Sequence, residues 1–207
     1  MKILIAIIIV IVIWSLVGYF TSNVEQAEYT VIKKTENYEV RNYPKHIVAQ
    51  TKVSGQLTQA MNSGFSIVAE YIFGGNVKKE KIAMTAPVVV KDGDSQKIPM
   101  TAPVVARTDG SDQIISFGMP KSYTLESLPS PINPKVQIVE IPEQNLAVAN
   151  FSWFISDKRI KKAQEKLLND LARDGIKPIG ELRYAGYNAP WSPPWMKRNE
   201  VMIEINK

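Results

Sequence analysis

Cysteine is absent from this 207-residue chain, and histidine occurs only once. Without cysteine the protein can form neither a disulfide framework nor a thiolate metal site. With a single histidine it cannot build a two-histidine zinc centre, and a Ser-His-Asp hydrolase would depend on that one residue. The Gly-rich loops that bind dinucleotides or phosphates are missing as well. These absences exclude most of the common catalytic sites, and we do not expect an enzyme.

Long apolar runs are also rare, because only one exists and it lies at the N-terminus. Residues 3–20 contain no charge, and only Ser15 and Gly18 fall outside the apolar set. As a helix rising about 1.5 Å per residue, this run would measure about 27 Å, close to the roughly 30 Å of a hydrocarbon core. We predict an uncleaved signal anchor, a transmembrane helix over residues 1–22. A cleaved signal peptide and a buried core helix are the alternatives.

The charges around this segment predict its orientation. Lys2 precedes it, and Glu25 and Glu28 are the first charged residues after it. Because basic flanks favour the cytoplasmic side, we expect a single-pass protein of the cell membrane. Its domain, residues 29–207, would lie outside the cytoplasm beyond a linker at 23–28, or be secreted if the signal is cleaved. The net charge of +5 is small and spread along the chain, so we expect no nucleic-acid binding.

The expected domain contains an internal repeat, because a shift of 98 residues aligns one half with the other. The aligned pairs are Val40 and Ile138, Pro44 and Pro142, Val48 and Leu146, Ala49 and Ala147, Val53 and Phe151, and Ser54 and Ser152. We expect repeats over about residues 29–106 and 130–207, each beginning with a strand, a turn, a strand and a helix.

A helical spacing of apolar residues follows the strands in each half. The apolar positions are Leu57, Met61, Phe65, Val68 and Ile72 in the first half, and Ile160, Ala163, Leu167, Leu168 and Leu171 in the second. Gly74 and Gly75 can end the first helix. Ser156 or Asp157 can cap the second helix, and Gly175 can end it.

Further strands are predicted by apolar stretches at residues 77–90, 98–106, 113–117 and 200–205. The hexamer Met-Thr-Ala-Pro-Val-Val occurs at residues 84–89 and again at 100–105. The polar sequence KDGDSQ after the first copy predicts that the two strands form a hairpin.

Five short segments of the chain occur together, and in this order, in one protein family. They are YEVRNY at residues 38–43, YIFGGN at 71–76, KIAMTAPV at 81–88, YAGYN at 184–188 and RNEV at 198–201. Through these segments, residues 29–207 resemble the SOUL family of haem-binding proteins. The resemblance implies an α+β fold, a distorted antiparallel β-barrel of two pseudo-symmetric repeats with two flanking helices. It also implies that haem or another tetrapyrrole binds in an apolar groove beside the first of these helices.

On this resemblance, the first predicted helix forms one wall of the haem groove. The apolar residues available for this wall are Met61, Phe65, Val68 and Ile72. The same stripe could instead pack only against the sheet. Haem propionates pair with cations, and this helix contains neither lysine nor arginine. Lys197 and Arg198, near the C-terminus, are therefore the candidate partners of the propionates, unless they are solvated surface charges.

The iron of a haem would need a ligand from an unusual place in this sequence. Some family members carry a histidine between the arginine and the tyrosine of the first segment, where this chain has Asn42. His46, in a predicted turn, is the candidate axial metal ligand. Tyr43 as a phenolate, and binding without an axial ligand, are the alternatives.

The segment at residues 184–195, YAGYNAPWSPPW, is rich in aromatic residues and proline. In it, Trp191 and Trp195 flank a stiff Ser-Pro-Pro stretch. The two rings could form a lid over the groove, contact the membrane interface, or pack against the end of the barrel.

Together these observations predict a membrane-anchored, extracytoplasmic binding protein for haem or another tetrapyrrole, acting as a carrier, buffer or sensor. Its partners would be the tetrapyrrole and the membrane. The alternative is a protein-interaction module that kept the family fold without haem, which Asn42 and the helix without basic residues favour.

Overall fold

The architecture is described from a computed structural model, over residues 2–21, 25–83, 85–92, 112–188 and 191–206. The helices are α1 (Lys2–Thr21), α2 (Leu57–Ile72) and α3 (Asp157–Arg173), with a short 3₁₀ helix at Pro194–Met196. The strands are β1 (Glu25–Gln26), β2 (Thr30–Lys34), β3 (Glu39–Tyr43), β4 (His46–Ser54), β5 (Thr85–Ala86), β6 (Val88–Asp92), β7 (Asp112–Gly118), β8 (Gln137–Ile141), β9 (Gln144–Phe151), β10 (Arg183–Gly186) and β11 (Asn199–Glu204).

Nine of these strands form one curled antiparallel sheet in the order β2-β3-β9-β11-β10-β6-β7-β4-β8. β1 and β5 form a separate two-stranded parallel sheet. Helices α2 and α3 both pack into the main hydrophobic core, so they cover the same face of the large sheet. The α+β class and the barrel-like antiparallel sheet expected from the sequence are confirmed.

The strand order shows that the two halves of the domain are related by pseudo-symmetry. Apart from the edge strand β2, which has no counterpart in this sheet, the first half contributes β3, β4, β6 and β7, and their counterparts from the second half are, in the same sequence, β8, β9, β10 and β11. Exchanging each strand for its counterpart in the other half reproduces the same order in reverse. The first strand of each half pairs with the second strand of the other, β3 with β9 and β8 with β4. The two halves therefore build one shared sheet.

The segment after α2 does not form the continuous strand that was expected over residues 77–90. Residues 77–83 form turns and irregular backbone, and β6 begins only at Val88. The buried side chain of Asn76 holds this segment, because it donates to the carbonyl oxygen of Glu80 at 2.7 Å and accepts from the Glu80 N–H at 3.0 Å. β6 pairs with β7 and β10. The strand predicted at 98–106 and the second hexamer lie outside the described residues.

Helix α2 lies close to the sheet because small residues line its inner face. Gly64 faces Ile115 of β7, and a Cβ atom added at Gly64 would lie 2.8 Å from the Cβ of Ile115. A residue from the second half of the chain accepts a hydrogen bond from the first turn of α2: the Thr58 N–H donates to Asp157 Oδ1 at 3.1 Å. Helices α2 and α3 therefore begin side by side, and the segment before α3 approaches the first turn of α2.

Helix α3 begins and ends at the expected residues. The Ser156 hydroxyl oxygen accepts a hydrogen bond from the Arg159 N–H at 3.3 Å, which is the standard N-cap contact. Gly175 follows the helix with φ of +72°, a left-handed conformation that glycine adopts without steric strain. Ile160, Leu167 and Leu171 are buried against the sheet.

Helix α1 is exposed along most of its length and strongly apolar. Its Lys2–Tyr19 window has a mean hydropathy of 2.6 and is only 6% buried. The helix is therefore long and apolar enough to cross a membrane, a property that it shares with signal sequences. The expected linker at 23–28 includes β1, in which Glu25 pairs with Thr85 of β5.

The stability of the domain is expected to fall at alkaline pH, in part through Tyr71. This tyrosine is buried at the end of α2 and its hydroxyl donates to the Pro129 carbonyl at 2.9 Å. Burial raises the pKa of Tyr71 to about 12, from an ordinary value of 10.0. Since the raised pKa belongs to the folded state, this contribution to stability is complete below pH 10 and is lost as the pH rises towards 12.

Replacing Tyr71 by phenylalanine tests this expectation. The variant should lose about 1 kcal/mol at neutral pH with its hydrogen bond, but its melting temperature should fall less steeply than that of the wild type between pH 10 and pH 12. Circular dichroism melts across this range measure the two slopes. Equal slopes would mean that Tyr71 does not titrate in this interval.

Candidate functional site

A groove of about 800 Å³ opens between the N-terminal half of α2, the ends of β6, β10 and β11, and the segment that precedes α3. The apolar and aromatic side chains that line it are Met61, Phe65, Val88, Phe154, Ile155, Tyr184 and Tyr187. Its position follows from the fold, because the adjacent N-termini of α2 and α3 hold the segment before α3 beside the sheet.

Side chains from α2 and from the region of β10 line this groove together. Met61 and Phe65 lie one helical turn apart on α2, so their side chains cover the same side of the helix. The Phe65 ring packs on the buried ring of Phe117 from β7, with centroids 5.3 Å apart, which fixes its position. Tyr184 of β10 and Tyr187, which follows that strand, also line the groove.

The polar groups of the groove are satisfied within the protein or lie at its rim. The Tyr184 hydroxyl donates to Asn199 Oδ1 at 2.7 Å, and the Asn199 amide donates to the Trp153 carbonyl at 3.0 Å. Burial raises the pKa values of Tyr184 and Tyr187 well above the ordinary range, so both phenols are neutral. At the rim, Lys197 Nζ lies 5.6 Å from the centre of the Phe154 ring, and burial lowers the pKa of this lysine.

The structure brings three of the sequence-predicted groove residues together: Met61, Phe65 and Lys197 line the groove. Val68 and Ile72 lie on the same helix but are fully buried in the core, so they pack against the sheet and do not reach the groove.

Arg198 also does not line the groove. Its guanidinium donates to Glu200 at 2.6 Å and lies over the ring of Tyr187, 4.0 Å from the ring centre. Glu200 is fully buried and also accepts from Arg41 at 3.0 Å and from the Tyr187 hydroxyl at 2.6 Å. This buried network supports Tyr187 from behind, and Arg198 therefore belongs to the framework of the groove.

The only histidine, His46, lies away from the groove. Its Nδ1 atom is 2.8 Å from the Pro44 carbonyl oxygen. Ile47 and Ala49 of β4 pack into the core beneath the helices, so the alternation of side chains along the strand directs His46 to the opposite face of the sheet. There it lines a separate cavity of about 300 Å³. The structure thus separates the predicted axial ligand from the predicted haem wall.

Two other candidate positions near His46 have partners within the protein. Asn42 donates to Glu143 at 3.0 Å and to Asn145 at 2.9 Å. The Tyr43 hydroxyl is buried and accepts from Arg41 at 3.3 Å. Within the described ranges, no group of three or more histidine or carboxylate side chains is arranged to hold a metal ion.

Sequence reasoning missed several residues that form the groove, notably Tyr184, Tyr187, Asn199 and Phe154. Three of them lie in segments that carried the family resemblance, YAGYN and RNEV, so a signal was present. Phe154 carried no signal, because only the fold brings the segment before α3 beside α2.

The chain is similar in sequence to known haem-binding proteins. It matches the family model described as SOUL heme-binding protein over residues 24–94 and 91–204. It is also 33% identical to human Heme-binding protein 2 over 161 residues, which are 74% of this chain and 71% of that protein.

Solved structures share the fold at low sequence identity. The EcmrR C-terminal domain superposes with a TM-score of 0.60 at 11% identity, covering 86% of this chain and 98% of that domain. An uncharacterized conserved protein from Listeria innocua superposes with a TM-score of 0.56 at 11% identity, covering 83% of this chain and 93% of that one. At these identities the likeness concerns the fold alone.

Proposed function

Because the chain belongs to the SOUL heme-binding protein family, we propose that it binds haem or another tetrapyrrole in the groove between α2 and β10. The observation that carries this proposal is the groove itself, which measures about 800 Å³ and is lined by apolar and aromatic side chains from α2 and from the region of β10. Sites for small organic ligands typically measure about 300 to 1,000 Å³ and are lined mainly by apolar and aromatic side chains.

The residues of the groove fit the chemistry of a tetrapyrrole. Met61 and Phe65 on one side and Tyr184 on the other supply surfaces for the flat faces of the macrocycle. Lys197 at the rim supplies a cation for a propionate. A bound haem would supply an iron centre, and since His46 lies on the other face of the sheet, we infer that this site holds haem by burial and propionate pairing.

We further propose that α1 anchors the protein in the cell membrane, with the domain outside the cytoplasm, and that the protein is a carrier, buffer or sensor. The apolar length of α1 supports the anchor. Lys2 before α1 and the acidic Glu25 and Glu28 after it support the orientation. The proposed boundaries are residues 1–22 for the anchor, 23–28 for the linker and 29–207 for the domain.

A haem titration of the full chain in detergent micelles, followed by absorbance in the Soret region, tests the binding site. We expect saturable one-to-one binding. Replacing Ser66 by tryptophan should raise the dissociation constant about tenfold or more, equivalent to about 1.4 kcal/mol, because Ser66 is exposed and lines the groove that the indole would fill. The substitution lies on the surface of α2, so the fold should be retained.

Matched variants distinguish the loss of haem binding in the groove from general effects of a substitution on the protein. Ser63→Trp adds the same side chain at an exposed position of α2 outside the groove lining and should bind haem like the wild type. Lys197→Ala should weaken binding, whereas Lys197→Arg should retain it. The Soret spectrum should be unchanged in His46→Ala. Absence of saturable binding would overturn the proposal and favour a protein-interaction module that kept the family fold.

A further inference from the structure

Helix α1 contacts the tryptophan- and proline-rich segment at residues 191–196. The Trp14 indole N–H donates to the Trp191 carbonyl oxygen at 2.8 Å. The Trp14 ring also meets the Trp195 ring edge-on, with centroids 5.3 Å apart. One turn further along α1, Gly18 lies so close to Pro193 that an added Cβ atom would be 2.6 Å from the proline Cδ. The domain therefore touches the apolar helix through this segment.

These contacts fix the depth of the segment relative to a bilayer. Trp14 precedes the end of α1 at Thr21 by seven residues, which correspond to about 10 Å along a helix. If α1 crosses a membrane, as proposed above, residues 191–196 lie against the last ~10 Å of the helix, on the side where it emerges. This step rests on the proposed membrane anchor and not on haem binding.

Four large aromatic side chains around this contact are exposed, and together we call them the aromatic rim. They are Trp153, Phe154, Trp191 and Trp195, with exposed fractions of 47, 49, 60 and 46%. The Trp153 N–H donates to the Pro194 carbonyl at 3.2 Å, so the two segments that carry the rim are joined. Clustered exposed aromatic residues are unusual on a soluble surface, whereas tryptophan is enriched at membrane interfaces.

A group of basic residues begins four positions after Phe154 of the aromatic rim. Exposed cations occupy four of the first six positions of α3: Lys158, Arg159, Lys161 and Lys162. The acidic residue of this turn, Asp157, is engaged by the Thr58 N–H. Aromatic side chains beside a basic cluster are the combination that binds anionic lipid surfaces.

We propose that the aromatic rim docks into the interface of an anionic bilayer beside α1 and holds the opening of the groove against the lipid surface. The rim and the groove share Phe154, and Lys197 packs against this ring at the edge of the groove. An amphiphilic ligand can therefore pass between the bilayer and the groove without crossing bulk water.

Site-directed spin labelling tests the docking, because the natural chain has no cysteine. Single-cysteine variants of the full chain, Trp191→Cys and Phe154→Cys, would carry a nitroxide in vesicles of phosphatidylcholine and phosphatidylglycerol. Trp191→Cys retains the backbone carbonyl that binds Trp14. Labels in lipid are more accessible to oxygen than to a water-soluble nickel complex, and we expect this result at both positions.

Two control positions make the result decisive. Val12→Cys, exposed on α1, reports whether the helix is in the bilayer, and Asn169→Cys reports an exposed site on α3 about 16 Å along the helix from Lys158. Rim labels that behave like Asn169→Cys, with Val12→Cys in lipid, would overturn the docking but leave the anchor standing. A water-exposed Val12→Cys would overturn both the anchor and the docking.

The lipid composition tests the role of the basic residues. In vesicles of phosphatidylcholine alone, the rim labels should become more accessible to the nickel complex, while Val12→Cys should not change. Identical accessibility in both kinds of vesicle would overturn the preference for anionic lipid.

Discussion

Replacing Glu200 by glutamine is expected to lower the free energy of unfolding by about 3 kcal/mol, because the change leaves buried cations without their counter-charge. Glu200 is fully buried and accepts hydrogen bonds from Arg41, Arg198 and Tyr187. Glutamine keeps the size of the side chain and removes its charge. Glu39 still pairs with Arg41 at 2.8 Å, which places the expected loss at the lower end of the range of about 3 to 5 kcal/mol for broken buried pairs.

Chemical denaturation of the full chain in detergent, followed by tryptophan fluorescence, measures this loss. Glu140→Gln is the matched control, since Glu140 forms an exposed ion pair with Lys45 at 3.1 Å. Exposed pairs contribute about 0 to 1 kcal/mol, so this variant should be close to the wild type. Equal losses in both variants would show that burial of the Glu200 network adds nothing to stability.

Gly64→Ala is expected to destabilise the domain although alanine is the better helix former. The new methyl group would collide with Ile115, whose Cβ would lie only 2.8 Å away and which is fully buried in β7. Overpacking of a core typically costs about 1 to 3 kcal/mol, and the gain in helix propensity is about 1 kcal/mol. We expect a net loss of up to about 2 kcal/mol, together with weaker haem binding because α2 carries Met61 and Phe65.

Ser63→Ala provides the comparison for this variant. Ser63 is the neighbouring residue on α2 and is exposed, so alanine there gains helix propensity without a collision. Its stability and haem affinity should equal or slightly exceed those of the wild type. If Gly64→Ala were as stable as Ser63→Ala, the close packing of α2 on β7 would not limit the position of the helix.

The local elements of the fold were predictable, whereas the pairing of the strands was not. The apolar spacing from Leu57 to Ile72 coincides with the bounds of α2, and Ser156 caps α3 as expected. Both signals act within a few residues along the chain. The pairing of β6 with β7 and β10 depends on contacts between segments that are distant in the sequence. The polar sequence KDGDSQ had instead predicted that this strand pairs with residues 98–106.

The same distinction holds for the groove. Helical spacing places Met61, Phe65 and Val68 on one face of α2, but only the fold decides how far the sheet covers that face. The sheet covers the C-terminal half of α2, so Val68 is buried in the core, whereas Met61 and Phe65 line the groove. Lys197 and Arg198 are adjacent in sequence, but Arg198 donates to the buried Glu200 and Lys197 lies at the edge of the groove.

The placement of His46 illustrates a further limit of sequence patterns. Its sequence position close to the first family segment suggested a role beside the haem wall. The face on which a strand residue lies is set by the register of the strand, and Ile47 takes the face of β4 that is covered by the helices. One residue of offset therefore moves the imidazole to the other side of the sheet.

The exchange of β3 and β8 between the two halves also governs when the protein can fold. β3 and β4 leave the ribosome well before their partners β9 and β8, which lie at residues 137–151. A chain interrupted before Gln137 would keep β3 without its neighbour β9 and one side of β4 bare, and such edges pair readily with other chains. The shared sheet can therefore be completed only after both halves have been synthesised, and until then the unpaired strand edges are exposed to aggregation.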